Sequence, residues 1–113
     1  MKRFLSIVMA TLLGMLLLTT SAMADAHHGQ KFYLKKLSGK CRKDGIKNGG
    51  IFAKKHTRSQ WDRLKEKGLL QKEWTKICPH GAKKIKKMKK KDVKNLFDFV
   101  WKYAKDGEEP SCG

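Results

Sequence analysis

The stretch from Asp92 to Ala104, Asp-Val-Lys-Asn-Leu-Phe-Asp-Phe-Val-Trp-Lys-Tyr-Ala, constrains the fold more than any other. Val93, Leu96, Phe97, Val100, Trp101 and Ala104 recur at helical spacing and form one apolar face. Asp92 is placed to cap the N-terminus, and Gly107 with Pro110 limits extension beyond the C-terminus. Phe99 and Tyr103 widen the stripe, so this helix should touch more than one partner. No other stretch after residue 24 carries comparable apolar area. The remaining segments must wrap around this one, which is structural rather than catalytic.

At the other end, Lys2 and Arg3 precede the apolar run Phe4–Leu18 and the small residues up to Ala24. This is the form of a secretory signal peptide, with Ala22-Met23-Ala24 as an A-x-A cleavage signal. The run is short for a bilayer span, which favours cleavage over anchoring. Residues 1–24 are therefore expected to be removed on export to a periplasm, leaving residues 25–113 as one domain.

Loss of Lys2 and Arg3 leaves 25 Lys+Arg against 10 Asp+Glu, a net charge of 25 − 10 = +15. Self-repulsion and a modest buried fraction both work against so small a domain. In an oxidising compartment a disulfide is the natural compensation. Cys41, Cys78 and Cys112 allow three pairings, with one thiol left over. A bridge to Cys112 is favoured, because it would pin the tail behind the last helix. The spare cysteine is expected to be buried as a small hydrophobe. None of the three forms C-x-x-C, which argues against a thioredoxin-like redox site or a zinc ribbon.

Between these landmarks the helical period recurs. His28–Leu37 reads as a short helix with Phe32, Tyr33, Leu34 and Leu37 along its apolar side, ended by Ser38-Gly39-Lys40-Cys41. Residues 42–50 are polar and glycine-rich, and without a GxxxxGK[ST] or GxGxxG after a strand they read as a flexible loop. Thr57-Arg-Ser-Gln60 has capping-box spacing and starts a helix carrying Trp61 and Leu64 that stops at Gly68. Leu70, Trp74, Ile77 and Cys78 repeat the spacing until Pro79 breaks it. No strand alternation or hairpin signal occurs. The expected fold is an all-α bundle of four to five short helices, with Trp61 and Trp74 core anchors rather than platforms for bases.

Residues 83–91 hold seven lysines, Lys83, Lys84, Lys86, Lys87, Lys89, Lys90 and Lys91, interrupted by Ile85 and Met88. The commonest fate of such a run is a solvated loop, although Ile85 and Met88, three apart, can tuck against the core. Nucleic-acid binding asks for arginines, interleaved aromatics or a reading helix, and export removes the usual nucleic acids. The charge fits an acidic protein surface or an anionic membrane or polymer surface.

The order of these pieces resembles a class I cytochrome c. Gly29-Gln-Lys-Phe32-Tyr33 matches that family's opening helix, which bears a glycine and an aromatic, and Leu96–Tyr103 matches the closing helix that crosses it. Gly50–Trp61 and Tyr103–Cys112 are similar to small exported proteins labelled cytochrome c-like. The resemblance spans most of the chain after residue 24 and implies a place in periplasmic electron transfer. It also implies a loss. With Gly29 on the family's opening glycine, Leu37 and Lys40 stand at the two thioether cysteines and Cys41 at the haem-ligating histidine. CxxCH is absent, covalent haem is excluded, and no cofactor is expected. For non-covalent haem the candidate ligands are Met88, placed roughly where the family keeps its distal ligand, with His56 and His80. Their alternatives are a core edge for Met88 and turn-flanking surface positions for the histidines, with Trp61, Trp74 and Trp101 filling the haem space.

Cleavage after Ala24 would expose Asp25-Ala26-His27, an amine, two backbone amides and an imidazole that can lie in one plane. That set suits Cu(II) or Ni(II), with His28 as an apical contact. A disordered terminus with inert histidines is the alternative, and cleavage after Ala26 would remove the site. No HExxH, nucleophile–histidine motif or paired-carboxylate signature occurs. The sequence therefore reads as a non-enzymatic, monomeric docking or accessory domain of periplasmic electron transfer. A carrier of non-covalent haem and a Cu(II)/Ni(II)-binding protein are the alternatives.

Overall fold

The computed structural model describes residues 25–109. The expected signal peptide, residues 1–24, and Cys112 lie outside them. The described chain folds as six helices without a strand. These are α1 over residues 25–42, α2 Gly49–Ala53, α3 Arg58–Glu66, α4 Leu70–Ile77, α5 Ala82–Lys86 and α6 Lys90–Lys102. A 3-10 turn, Pro79–Gly81, follows α4 where Pro79 was expected to end it. The all-α class is as the sequence predicts.

α6 lies at the centre, packed against α2, α3 and α4, and against α1 at Gly29. Its buried residues are Asn95, Leu96, Phe97, Phe99 and Val100, with Ala104 just beyond it. Phe99 is thus core and Trp101, 36% exposed, is not, which corrects the expected face. Contact with α1 and α2 on the Asn95–Phe99 side rotates the buried arc away from Trp101, which lies at the edge with the Arg58 guanidinium 4.1 Å above its ring. Asp92 also acts differently from expectation. The helix begins at Lys90, and Asp92 caps it from inside the first turn by accepting the Lys89 N–H at 3.2 Å.

α1 crosses α6 at Gly29. A Cβ there would stand 2.0 Å from the Asn95 carbonyl oxygen and 2.9 Å from Phe99 Cβ, so only glycine lets the two backbones meet. Tyr33, one turn on, packs its ring 5.1 Å from Phe52 and 6.3 Å from Phe99. α1 does not end at Leu37 as predicted but continues through Ser38–Arg42 by way of a π-helical turn at Tyr33–Leu37. In a regular α-helix, positions four apart drift by about 40°. The wider turn offsets that drift, so Tyr33, Leu37 and Cys41 all face the core, while Leu34 turns outward, 58% exposed. Nor is 42–50 wholly a flexible loop. Ile46 is buried, Asn48 Oδ1 accepts the Ile51 N–H at 2.9 Å, and Gly49 and Gly50 belong to α2.

Trp61 and Trp74 are fully buried, their rings 6.5 Å apart, and Trp61 Nε1 donates to the Ala53 carbonyl at 2.9 Å. The capping box of α3 is present: Thr57 Oγ1 accepts the Gln60 N–H at 3.3 Å, and Gln60 Oε1 accepts the Thr57 N–H at 2.9 Å. Gly68, at φ +69°, follows α3 in the left-handed conformation that stops a helix.

The disulfide joins Cys41 to Cys78, with 5.0 Å between their Cα atoms, and both cysteines are fully buried. This corrects the favoured bridge to Cys112. The in-line face of α1 brings Cys41 against the end of α4, and the tail is held by other means. Arg58 donates its backbone N–H to Asp106 Oδ1 at 2.8 Å, and its Nε and Nη2 to the Trp101 and Lys102 carbonyls at 3.0 and 3.1 Å. The Lys105 N–H reaches the His56 carbonyl at 3.0 Å.

A bridge closing a 37-residue separation constrains the unfolded chain by about 4 kcal/mol in the chain-entropy picture. Reduction, or Cys41→Ser with Cys78→Ser, should lower the melting temperature clearly, whereas Cys112→Ser should leave it unchanged. Differential scanning fluorimetry of the three forms checks this.

Candidate functional site

The lysine run is not a loop but a helical corner. α5 turns Ile85 fully into the core, Met88 is half-buried, and all seven lysines face solvent. Gln71 Nε2 donates to the Ile85 carbonyl at 2.8 Å and ties the corner to α4. Among the described residues none of the seven lysines pairs with a carboxylate. Lysines elsewhere do. Lys54 meets Glu109 at 3.2 Å, Lys94 meets Asp98 at 3.3 Å, and Lys76 and Lys102 stand 4.0 Å from Glu73 and Glu108. Asp92, which directly follows the run, is occupied by the Lys89 N–H.

This placement costs stability. Lys89, Lys90 and Lys91 sit at the start of the 13-residue α6, the positive end of its dipole, where a cation is unfavourable. Lys83 and Lys87, four apart across α5 and its end, add like-charge repulsion. Two clefts adjoin the corner. One of about 500 Å³ is lined by Gln71, Lys72, Thr75, Lys76 and Lys86. A smaller one, about 260 Å³, opens among Lys65, Leu70, Met88, Lys90, Val93 and Phe97.

The haem candidates are each engaged in separate contacts. His56 Nε2 lies 2.7 Å from Glu73 Oε2, with its ring edge-on to Trp61 at 4.8 Å. His80 is bound to Asp44, through its backbone N–H at 3.0 Å to Oδ2 and through Nδ1 to Oδ1. Met88 lines the smaller cleft, whose lining includes neither histidine. The residues standing at the haem-attachment positions of the resemblance are a buried leucine (Leu37), an exposed ammonium (Lys40) and a disulfide sulfur (Cys41). They do not fit covalent haem.

Asp25, Ala26 and His27 form the first turn of α1, with Asp25 paired to Lys94 and Ala26 3% exposed. Chelation of Cu(II) through successive backbone amides would require that turn to unwind. Among the described residues no cluster of three or more His, Cys, Asp or Glu converges as a metal site.

Several polar groups are perturbed. Burial works to raise the Asp44 carboxyl, but the His80 backbone N–H and imidazole outweigh it and hold the carboxyl below its ordinary value. Burial raises Asp98 against the opposing pull of Lys94, and Lys94 is itself raised by its bond to Asp25. Burial pushes the Tyr33 phenol up to about 12, against the opposing charge of Arg42. Among the described residues, Tyr33 Oη and Trp74 Nε1 are buried without a hydrogen-bond partner.

Compared with protein-family models, curated proteins and solved structures, the chain matches none.

The Asp44–His80 clasp joins the turn after α1 to the turn after α4, beside the disulfide. A depressed carboxyl contributes stability above its unfolded-state value, about 4, and loses it as pH falls through the folded one. Asp44→Asn should therefore be less stable than the wild type at neutral pH, with the gap closing in acid. Urea midpoints across pH measure it, and a gap that persists in acid assigns the effect elsewhere.

Proposed function

We propose that this protein is a non-enzymatic docking domain that holds an acidic protein surface through the corner of α5 and α6, as an accessory to periplasmic electron transfer. The observation that carries the reading is that Lys83, Lys84, Lys86, Lys87, Lys89, Lys90 and Lys91 are exposed and unpaired among the described residues. They stand where a helix dipole and their own repulsion oppose them. A chain that keeps charges at a cost to its own stability reserves them for something outside itself. Lysine, a compact and strongly hydrated point charge, suits fast, steered association better than bidentate recognition.

An acidic protein fits better than an anionic bilayer. Stable lipid-surface binding draws on apolar anchors beside the charges as well as on the charges themselves, and the exposed large hydrophobics, Leu34, Ile51, Leu69 and Trp101, lie outside the lysine run. Export and the electron-transfer setting come from the signal-like leader and from the cytochrome c-like order of the segments. The crossing of the first and last helices at Gly29 is consistent with that order.

Binding to polyglutamate immobilised on a biosensor should fall by about ten-fold or more from low to high salt, as the screening length contracts below ~8 Å. Replacing all seven lysines by glutamine should weaken binding and leave the melting temperature unchanged or raised. Binding indifferent to salt and to the seven substitutions overturns the reading. So does a preference for phosphatidylglycerol vesicles over the acidic polymer.

A further inference from the structure

The smaller cleft begins where the lysine corner ends. Its floor is Leu70 of α4, Met88 of the α5–α6 turn, and Val93 and Phe97 of α6. Lys65, Lys90 and Lys94 line it as well, and among the described residues no carboxylate does. Lys65 lies over the Phe97 ring, 4.5 Å from its centroid. Lys94 is already engaged by Asp25 and Asp98. Lys90 has no carboxylate partner among the described residues and continues directly into Lys89 and Lys91.

Size decides what kind of occupant fits. At about 260 Å³ the cleft falls below the range of roughly 300–1,000 Å³ that holds a drug-sized molecule. It is large enough for one apolar side chain presented by a larger partner. A shallow apolar recess rimmed by charge is also the arrangement in which a single anchor carries much of a protein–protein contact. Met88, unbranched and polarizable, can adapt the floor to the anchor's shape.

We infer that this cleft receives one apolar or aromatic side chain of an acidic protein segment whose neighbouring carboxylates lie on Lys90, Lys89 and Lys65. The inference rests on the docking reading and deepens it: the corner supplies charge, and the cleft supplies position. Two probes separate them, a glutamate-rich peptide with one central phenylalanine and the same peptide with serine in its place. On the purified protein the phenylalanine peptide should bind about ten-fold more tightly. Its ring should shift the methyl resonances of Leu70, Met88 and Val93 in NMR spectra of the wild-type protein. Both peptides should keep the same salt dependence. Equal affinities, or ring-current shifts confined to other methyl groups, overturn the cleft while leaving charge-driven docking intact. Failure of both peptides to bind at low salt overturns the docking reading and the cleft with it.

Discussion

The contact on which the rest of the structure depends is the meeting of two helix backbones at Gly29 and Asn95. Because no Cβ intervenes, α1 lies directly on α6. That closeness puts Tyr33 against Phe99 and Phe52 and lets Gly49 of α2 approach both rings. From this fixed crossing, the π-helical turn carries the buried face of α1 onward to Leu37 and Cys41, where the disulfide fastens it to the end of α4. One aromatic layer, one covalent bond and the pair Trp61–Trp74 thus close a core around a single strongly apolar helix.

Such a core has to hold against considerable self-repulsion. The few acids of the described chain are used locally: Asp106 on the first turn of α3, Asp92 on the first turn of α6, Asp44 on His80, and Asp25 and Asp98 on Lys94. Almost none is left to neutralise the corner of α5 and α6. Charge that would elsewhere be balanced by neighbours is concentrated on one edge, above a floor anchored by Ile85. Stability comes from the covalent and aromatic centre, which leaves the surface cations of this edge without a structural role. Core and charged edge are therefore coupled in energy while separate in space.

The helix class, the capping box at Thr57, the stop at Pro79 and the inward turn of Ile85 and Met88 were legible because each rests on spacing within a few residues. What was not legible depended on contacts between distant segments. Trp101 and Phe99 exchange roles because α6 has neighbours on more than one side, and local periodicity cannot say which side buries more. The Cys41–Cys78 pairing follows from the π-helical turn, which leaves no mark in composition. Asp44 and His80 meet across 36 positions of chain, and Arg58 reaches the end of α6 across 43 and 44. The lysine run was visible at once, but not that it is helical and, among the described residues, unpaired, since pairing depends on where the scarce carboxylates fold.

Amine reactivity, read lysine by lysine, tests the docking corner most directly. The folded protein is treated with a limiting amine-acetylating reagent with and without bound polyglutamate, and each modified lysine is quantified by mass spectrometry. Protection should concentrate on Lys83 to Lys91, with Lys65 next and the lysines of α1 little changed. Uniform protection of all exposed lysines, or protection centred on α1, contradicts docking through the corner of α5 and α6.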